Sequence, residues 1–350
     1  MTTSPSGNDS LQRTLRGLEL RCPPLPQTLI EALDLIDKPE KIEVGPVTEM
    51  VQRDPIVVAR LLHTVNSAYY GLRHTISSAD RAVVMLGPVA VAGIVLGMHM
   101  LKLRSILESP AGPCFQRLIR HSIACAFLTR HLLEGKPGEH DRRRDAARMG
   151  VSFTSGLLHD FGKIILVYNF QEEALDLYDS DAVRHQVLAE DELDIERLLF
   201  GCDHTEAGEF AARKLNFPDV LVNVIRHHHQ PRKRTGDEET DRLIRITAGA
   251  NLAAKAMGYS LNRYIDPSSI VVHAIWPELI ANDLTHYKTP GDLVEDLFQQ
   301  KEHLDQYVRQ LTEGPAGLSS EHDTQADTRN EPSGRRDDED GEARIWRLNS

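Results

Sequence analysis

Gly156-Leu157-Leu158-His159-Asp160-Phe161-Gly162-Lys163 sets an adjacent histidine and aspartate inside an otherwise apolar helical pattern that runs on through Ile164, Ile165, Leu166 and Val167. A polar pair of that kind is costly to bury without partners. An imidazole and a carboxylate at neighbouring positions can both turn toward one cation, and Gly156 and Gly162 would let another backbone or a ligand come close. A mononuclear or dinuclear metal centre is one reading. The competing one is that His159 and Asp160 simply satisfy hydrogen bonds around them, as half-buried polar pairs do. Any further ligands must come from elsewhere in the chain.

The 350 residues allow two lobes and a large core at about 150 residues per domain. Lys and Arg number 40 against 52 Asp and Glu, a net charge of −12, which argues against binding nucleic acid or an anionic membrane and for small molecules or other proteins. Cys22, Cys114, Cys125 and Cys202 form no close pairs, so a reducing compartment is expected and no zinc knuckle is suggested. The N-terminal residues show no signal-peptide core. The apolar run from Val89 to Leu101 contains His99 and falls short of the ~20 residues that span a bilayer. A cytoplasmic protein is expected.

Along the first lobe, Leu29, Ile30, Leu33 and Ile36 give one amphipathic helix, and Val47, Met50 and Val51 a second. Asp54-Pro55 reads as an N-cap with Pro at the first helical position, opening a helix through Val65. Asn66-Ser67 ends it, either as a ligand-contact pair or as a turn that satisfies its own backbone. Ser78 opens the next helix and Gly87 closes it. No strand-period alternation interrupts these helices, so the fold class is all-α, with an N-terminal helical lobe over 18–110 and a second helical lobe over 111–310. Residues 1–17, and 311–350 with Trp346, are expected to be disordered.

In the second lobe a helix from Phe115 carries His121, which alone would pass for a core histidine. The run Arg142-Arg143-Arg144 reads as a solvated loop, and the acidic segment from Glu172 to Glu196 as amphipathic. Asp203 and Glu206 form a capping-box pattern, which puts His204 in a helix's first turn. His227-His228-His229 ends the following helix, where cations could simply complement the helix dipole. A last clear core helix, residues 241–257, carries Asn251 and is capped by Gly258. The segments beyond Leu261 read as padding for this lobe. Lys163 reads as an exposed helix lysine or as a phosphate contact.

In order and local sequence, His121, His159-Asp160, His204 and His228-His229 resemble the ligands of the HD superfamily of metal-dependent phosphohydrolases. That resemblance makes His121, His159, Asp160, His204, His228, His229 and Asn251 the metal-site positions. It implies one or two divalent ions, Fe, Mn or Zn. Asn251 stands where the superfamily closes its site with Asp, and a neutral oxygen holds a cation and a phosphoryl transition state less well. Gln230-Pro231-Arg232-Lys233 replaces the Gly-Tyr-Pro segment of the HD-GYP cyclic di-GMP phosphodiesterases.

The first lobe sharpens the resemblance. Asp54-Pro55, Arg60-Leu61-Leu62, Asn66-Ser67-Ala68-x-Tyr70-Gly71, Ile76-x-Ser78 and Leu86-Gly87 look like the HDOD domain, the HD-related output domain of bacterial signalling proteins. The likeness runs from about Leu18 to Pro231. It implies a non-catalytic regulatory module with a degenerate HD pocket, whose partners are signalling proteins and a nucleotide second messenger. The alternative is a metal-dependent phosphohydrolase of cyclic nucleotides or dinucleotides. A third reading, a helical interaction protein with no occupied pocket, would leave the site residues without consequence for stability or signalling.

Overall fold

The computed structural model describes residues 20–23, 30–32, 43–66, 74–95, 98, 111–134, 151–179, 192–261 and 267–313. Ser67 to Gly71, His99, the Arg142–Arg144 run, residues 1–17 and 314–350 of the expected disordered ends, and most of the expected first helix lie outside them. Every regular element among the described residues is helical, and none is a strand. No helix there is long and apolar enough to cross a membrane.

The first lobe follows its caps. Helices α1 (Val44–Gln52) and α2 (Pro55–Val65) are separated by Asp54, whose carboxylate accepts from the Ile56 and Val57 amides at 2.9 and 3.4 Å. At the end of α2, Asn66 donates to the Leu62 and Ile76 carbonyls and accepts from the Ile76 amide. That is the self-satisfying turn, with the Asn66 amide used up by backbone. Helix α3 (Ala79–Leu86) begins at Ser78 and ends at Gly87, whose φ of 82° needs a residue without Cβ. Helix α4 (88–95) follows at once.

The second lobe is built on α5 (Gly112–Glu134), α6 (151–158), α7 (Phe161–Asn169), α8 (Gln171–Asp179) and α9 (Glu192–Phe200). Helices α10 (His204–Lys214), α11 (Asp219–His227) and α12 (Glu238–Ala256) complete its centre, and α12 packs along α5. Short helices α13 (Pro267–Ile270) and α14 (Ile275–Asn282) lead to α15 (Pro290–Gln299) and α16 (Lys301–Glu313).

Two sequence expectations change here. Residues 159 and 160 form a turn between α6 and α7 rather than lying inside one helix, so the His-Asp pair sits where the backbone bends. The last segment is more than padding. In α16, Leu304, Tyr307, Val308 and Leu311 make a buried stripe at helical spacing, and the helix packs on both α5 and α2. The Arg60 guanidinium of α2 caps it by donating to the Leu311 carbonyl. This stripe carries α16 past residue 310, the expected end of the folded unit.

Glycines set the spacing of the site helices. A Cβ on Gly156 would lie 2.7 Å from Ala126 Cα and 2.8 Å from the Cys125 carbonyl of α5, and one on Gly162 would lie 1.6 Å from the His204 carbonyl of α10. The glycines of the opening motif therefore admit backbone, not ligand. Each lets a ligand-bearing helix close on the His159-Asp160 turn: α5 with His121, and α10 with His204.

Candidate metal centre

Four imidazoles converge on Asp160. His121, His159 and His204 have no exposed surface, and Asp160 is 1% and His228 2% exposed. The nitrogen remote from the centre is committed in each ring. His121 Nδ1–H donates to the Tyr259 carbonyl at 2.6 Å, His159 Nδ1–H to Gly156 at 2.7 Å and His228 Nδ1–H to Ile225 at 3.0 Å. His204 Nδ1–H donates to Glu196 Oε2 at 2.6 Å. Because carbonyls and carboxylates only accept, these bonds leave each Nε2 a lone pair aimed inward.

The lone pairs form two triangles that share the carboxylate. His121 Nε2 and His159 Nε2 are 3.2 Å apart, and each is 3.4 Å from Asp160 Oδ2. His204 Nε2 and His228 Nε2 are 3.3 Å apart, and each is 3.4 Å from Asp160 Oδ1. Ligands about 2.1 Å from a common cation are separated by roughly 3.0 to 3.4 Å, from octahedral to tetrahedral edges. Asp160 Oδ1 is buried without a well-formed hydrogen bond, and so is His229 Nε2, whose ring lies 4.3 Å from that of His228 and 5.0 Å from that of His204. Orphaned buried acceptors beside converging imidazoles are the donor set of a divalent transition metal.

The halves differ. His204, His228, His229 and Asp160 Oδ1 could supply four ligands to one ion, whereas the other half offers His121, His159 and Asp160 Oδ2. Asn251 is buried on α12, beside the helix that carries His121, and its Oδ1 has no hydrogen-bond partner. The Lys163 ammonium also occupies Asp160 Oδ2, at 3.0 Å. Burial holds His228 down to about 4, against the pull of Asp160, and drives His229 well below its ordinary value. Burial likewise takes His121 down to about 3, but in His159 the Asp160 charge overrides burial and raises it to about 10.

Lys163 is fully buried, which corrects the exposed-lysine reading. Besides Asp160 it meets Glu192 Oε1 at 2.8 Å, and Glu192 also pairs with Lys255 at 3.3 Å. Burial opposes the charges of both Lys163 and Glu192. The opposite charges win, so the ammonium is held above, and the carboxyl well below, its usual range. Nothing in the sequence reading marked Glu192 or Glu196. On α9 the buried positions are Glu192, Glu196 and Phe200, while Leu198 is 83% and Leu199 44% exposed. The signal was two glutamates in helical phase with a phenylalanine, easily taken for an amphipathic surface helix.

Glu196 holds His204 from behind. One oxygen accepts from both the His204 amide, at 2.8 Å, and Nδ1–H, and the other accepts from the Tyr178 hydroxyl at 2.5 Å. A carboxylate there fixes the tautomer and raises the basicity of Nε2. Glu196→Gln is therefore expected to weaken metal affinity by about 10–100-fold. Its thermal midpoint in chelator should fall much less than that of Glu196→Ala, and competition titrations with a chelating dye would read the difference.

Comparison with known proteins places the chain in a family. A family model of the HDOD domain matches residues 22–231. An HDOD domain protein of unknown function from Geobacter sulfurreducens superposes with a TM-score of 0.67 at 19% identity, over 87% of this chain and 98% of that one. A candidate signal transduction protein from Marinobacter aquaeolei VT8 gives 0.60 at 18% identity, over 89% and 68%. A candidate phosphohydrolase from Shewanella amazonensis SB2B gives 0.56 at 22%, over 85% and 97%. An uncharacterised Treponema pallidum protein is 23% identical over 233 residues, which take in 67% of this chain and 42% of that protein's length. The solved structures share the helical fold, and the family match spans the stretch from the first lobe's caps to the histidine pair of the centre. On that match, over more than half of its length, the chain belongs to the HDOD family.

Proposed function

We propose that this protein is a signalling module whose HD-type centre holds a single divalent ion in the His204, His228, His229 and Asp160 half and does not hydrolyse phosphoesters. The observation that carries this reading is the imbalance around Asp160. One half offers four protein ligands, and in the other Lys163 lies on the shared carboxylate, while the HD resemblance expects Asp where this chain has Asn251. A bound ion would supply Lewis acidity and a fixed positive charge there. The chain's own residues do the rest. Glu196 and the Ile225 carbonyl orient His204 and His228, and Lys163 bridges Asp160 and Glu192. The closed packing around Asp160 excludes water. Such a centre ties the α7, α10 and α11 ends together and makes the lobe's rigidity depend on metal. Iron, manganese and zinc all suit imidazole with one carboxylate oxygen.

Elemental analysis of the purified full chain is expected to find one ion per chain. His204→Ala should lose it, and His121→Ala should keep it. Two ions per chain, or loss in both variants, would overturn the single-ion reading. A second reading, phosphodiesterase chemistry, is favoured by the six His and Asp positions being present together. Manganese-dependent hydrolysis of cyclic dinucleotides or of a chromogenic phosphodiester that disappears in His159→Ala would establish it in place of the first. Asn251→Asp is expected to raise the stoichiometry toward two, because it restores the carboxylate of the HD resemblance on the helix packed against α5.

A further inference from the structure

A cavity of about 240 Å³ opens where α5, the end of α12 and the start of α16 meet. Three cationic side chains from two elements line it: Arg117 and Arg120, one helical turn apart on α5, and Lys301 at the head of α16. Asp305, Tyr259 and Gly258 supply most of the remaining wall. Arg117 and Arg120 have partners of their own, and Asp305 pairs with Lys301. Asp305 takes the Lys301 ammonium at 2.5 and 2.6 Å and the Tyr259 hydroxyl at 2.5 Å. An ammonium has three protons, so Lys301 keeps one beyond those given to Asp305.

The end of α12 would ordinarily repel an anion through its terminal carbonyls. Here they are turned back into the chain. The amides of Met257, Gly258 and Tyr259 donate to the carbonyls of Ala253, Lys255 and Ala254, and Gly258 reaches this turn with a φ of 90°. A Cβ on Gly258 would meet nothing within 4 Å, so the backbone here borders open space. The volume is below the roughly 300–1,000 Å³ of sites that enclose a whole drug-sized molecule. It suits a phosphate group and what is directly attached to it.

The cavity wall is wired to both halves of the centre. The Tyr259 carbonyl accepts from His121 Nδ1–H. Arg117 donates to the Tyr178 carbonyl at 3.1 Å, and Tyr178 holds Glu196, which holds His204. We propose that this cavity binds a small phosphate-bearing anion through Arg117, Arg120 and Lys301, and that its occupancy is coupled to metal occupancy through Tyr259 and through Arg117, Tyr178 and Glu196. The coupling rests on the metal reading above, and the anion site stands without it.

The test uses the full chain with inorganic phosphate and AMP as probes and sulfate as the control anion, each titrated calorimetrically with and without manganese. Saturable binding of AMP or phosphate, tighter than sulfate, is expected, weakened about tenfold or more in Arg120→Glu and in Lys301→Gln. Equal affinity for phosphate and AMP assigns the free ion, and tighter AMP assigns an ester. No saturable binding, or binding unchanged in both variants, overturns the site. Saturating AMP should shift manganese affinity by about 5–150-fold, with manganese shifting AMP affinity by the same factor. Anion binding with no such shift overturns the coupling. Absence of any metal in the purified protein would overturn the functional reading while titration of the metal-free chain still decides the anion site.

Discussion

Gly162→Ala is expected to abolish the centre and to cost more than about 4 kcal/mol of stability, at the far end of what single substitutions do. The added methyl would lie 1.6 Å from the His204 carbonyl oxygen, 2.6 Å from its carbon and 2.7 Å from the Gly208 amide nitrogen. All three are backbone atoms inside a capped helix, so no side chain can swing aside to make room. Ordinary overpacking costs about 1–3 kcal/mol because rotamers yield. Here α7 and α10 must separate, and that carries His204 away from the Asp160 carboxylate. Urea denaturation and elemental analysis of the full chain would read both effects. Gly45→Ala and Gly112→Ala are the controls, since neither Cβ meets anything within 4 Å and both sites are in helices. They should gain up to about 1 kcal/mol. A Gly162→Ala protein as stable as these, with its metal retained, would show that α7 and α10 do not meet through Gly162.

The sequence was most legible where local chemistry decides structure. Asp54-Pro55, Ser78 with Gly87, and the Asp203/Glu206 capping box each sit at a helix end as their side chains require. The six His and Asp positions stood out as one site only through the HD resemblance, since His121 alone passes for a core histidine, and the fold brings them together around Asp160. What could not be read depends on partners distant in the chain. Lys163 has the sequence of a surface lysine. Only the fold brings it to Glu192, and only α9's inverted pattern, glutamates inward and Leu198 and Leu199 outward, supplies that carboxylate. The same holds for α16, whose buried stripe is weak until α2 and α5 are present to bury it. The glycines were noticed as permissive, but which backbone they admit is a tertiary fact.

Asp160→Asn is expected to empty the centre while leaving the fold standing. The carboxylate is the vertex common to both triangles, so its charge serves whichever half holds an ion, and removing it takes a ligand from both at once. His204→Ala and His121→Ala each remove a vertex from one half only. The neighbouring charges make the choice of Asn over Ala matter. Lys163 is buried between Asp160 and Glu192, and stripping a partner from a buried pair costs about 3–5 kcal/mol when nothing replaces it. In Asp160→Asn the side-chain carbonyl can still accept from Lys163, and Glu192 still balances its charge at 2.8 Å. In Asp160→Ala the ammonium loses a contact outright and a void opens beside it. Melting curves with and without EDTA separate these effects. The parent should drop on chelation, Asp160→Asn should melt near the chelated parent and ignore EDTA, and Asp160→Ala should melt below both. An Asp160→Asn protein that retains one ion per chain at parental affinity would mean that the imidazoles alone hold the metal. The two triangles would then share a structural hinge and not a ligand.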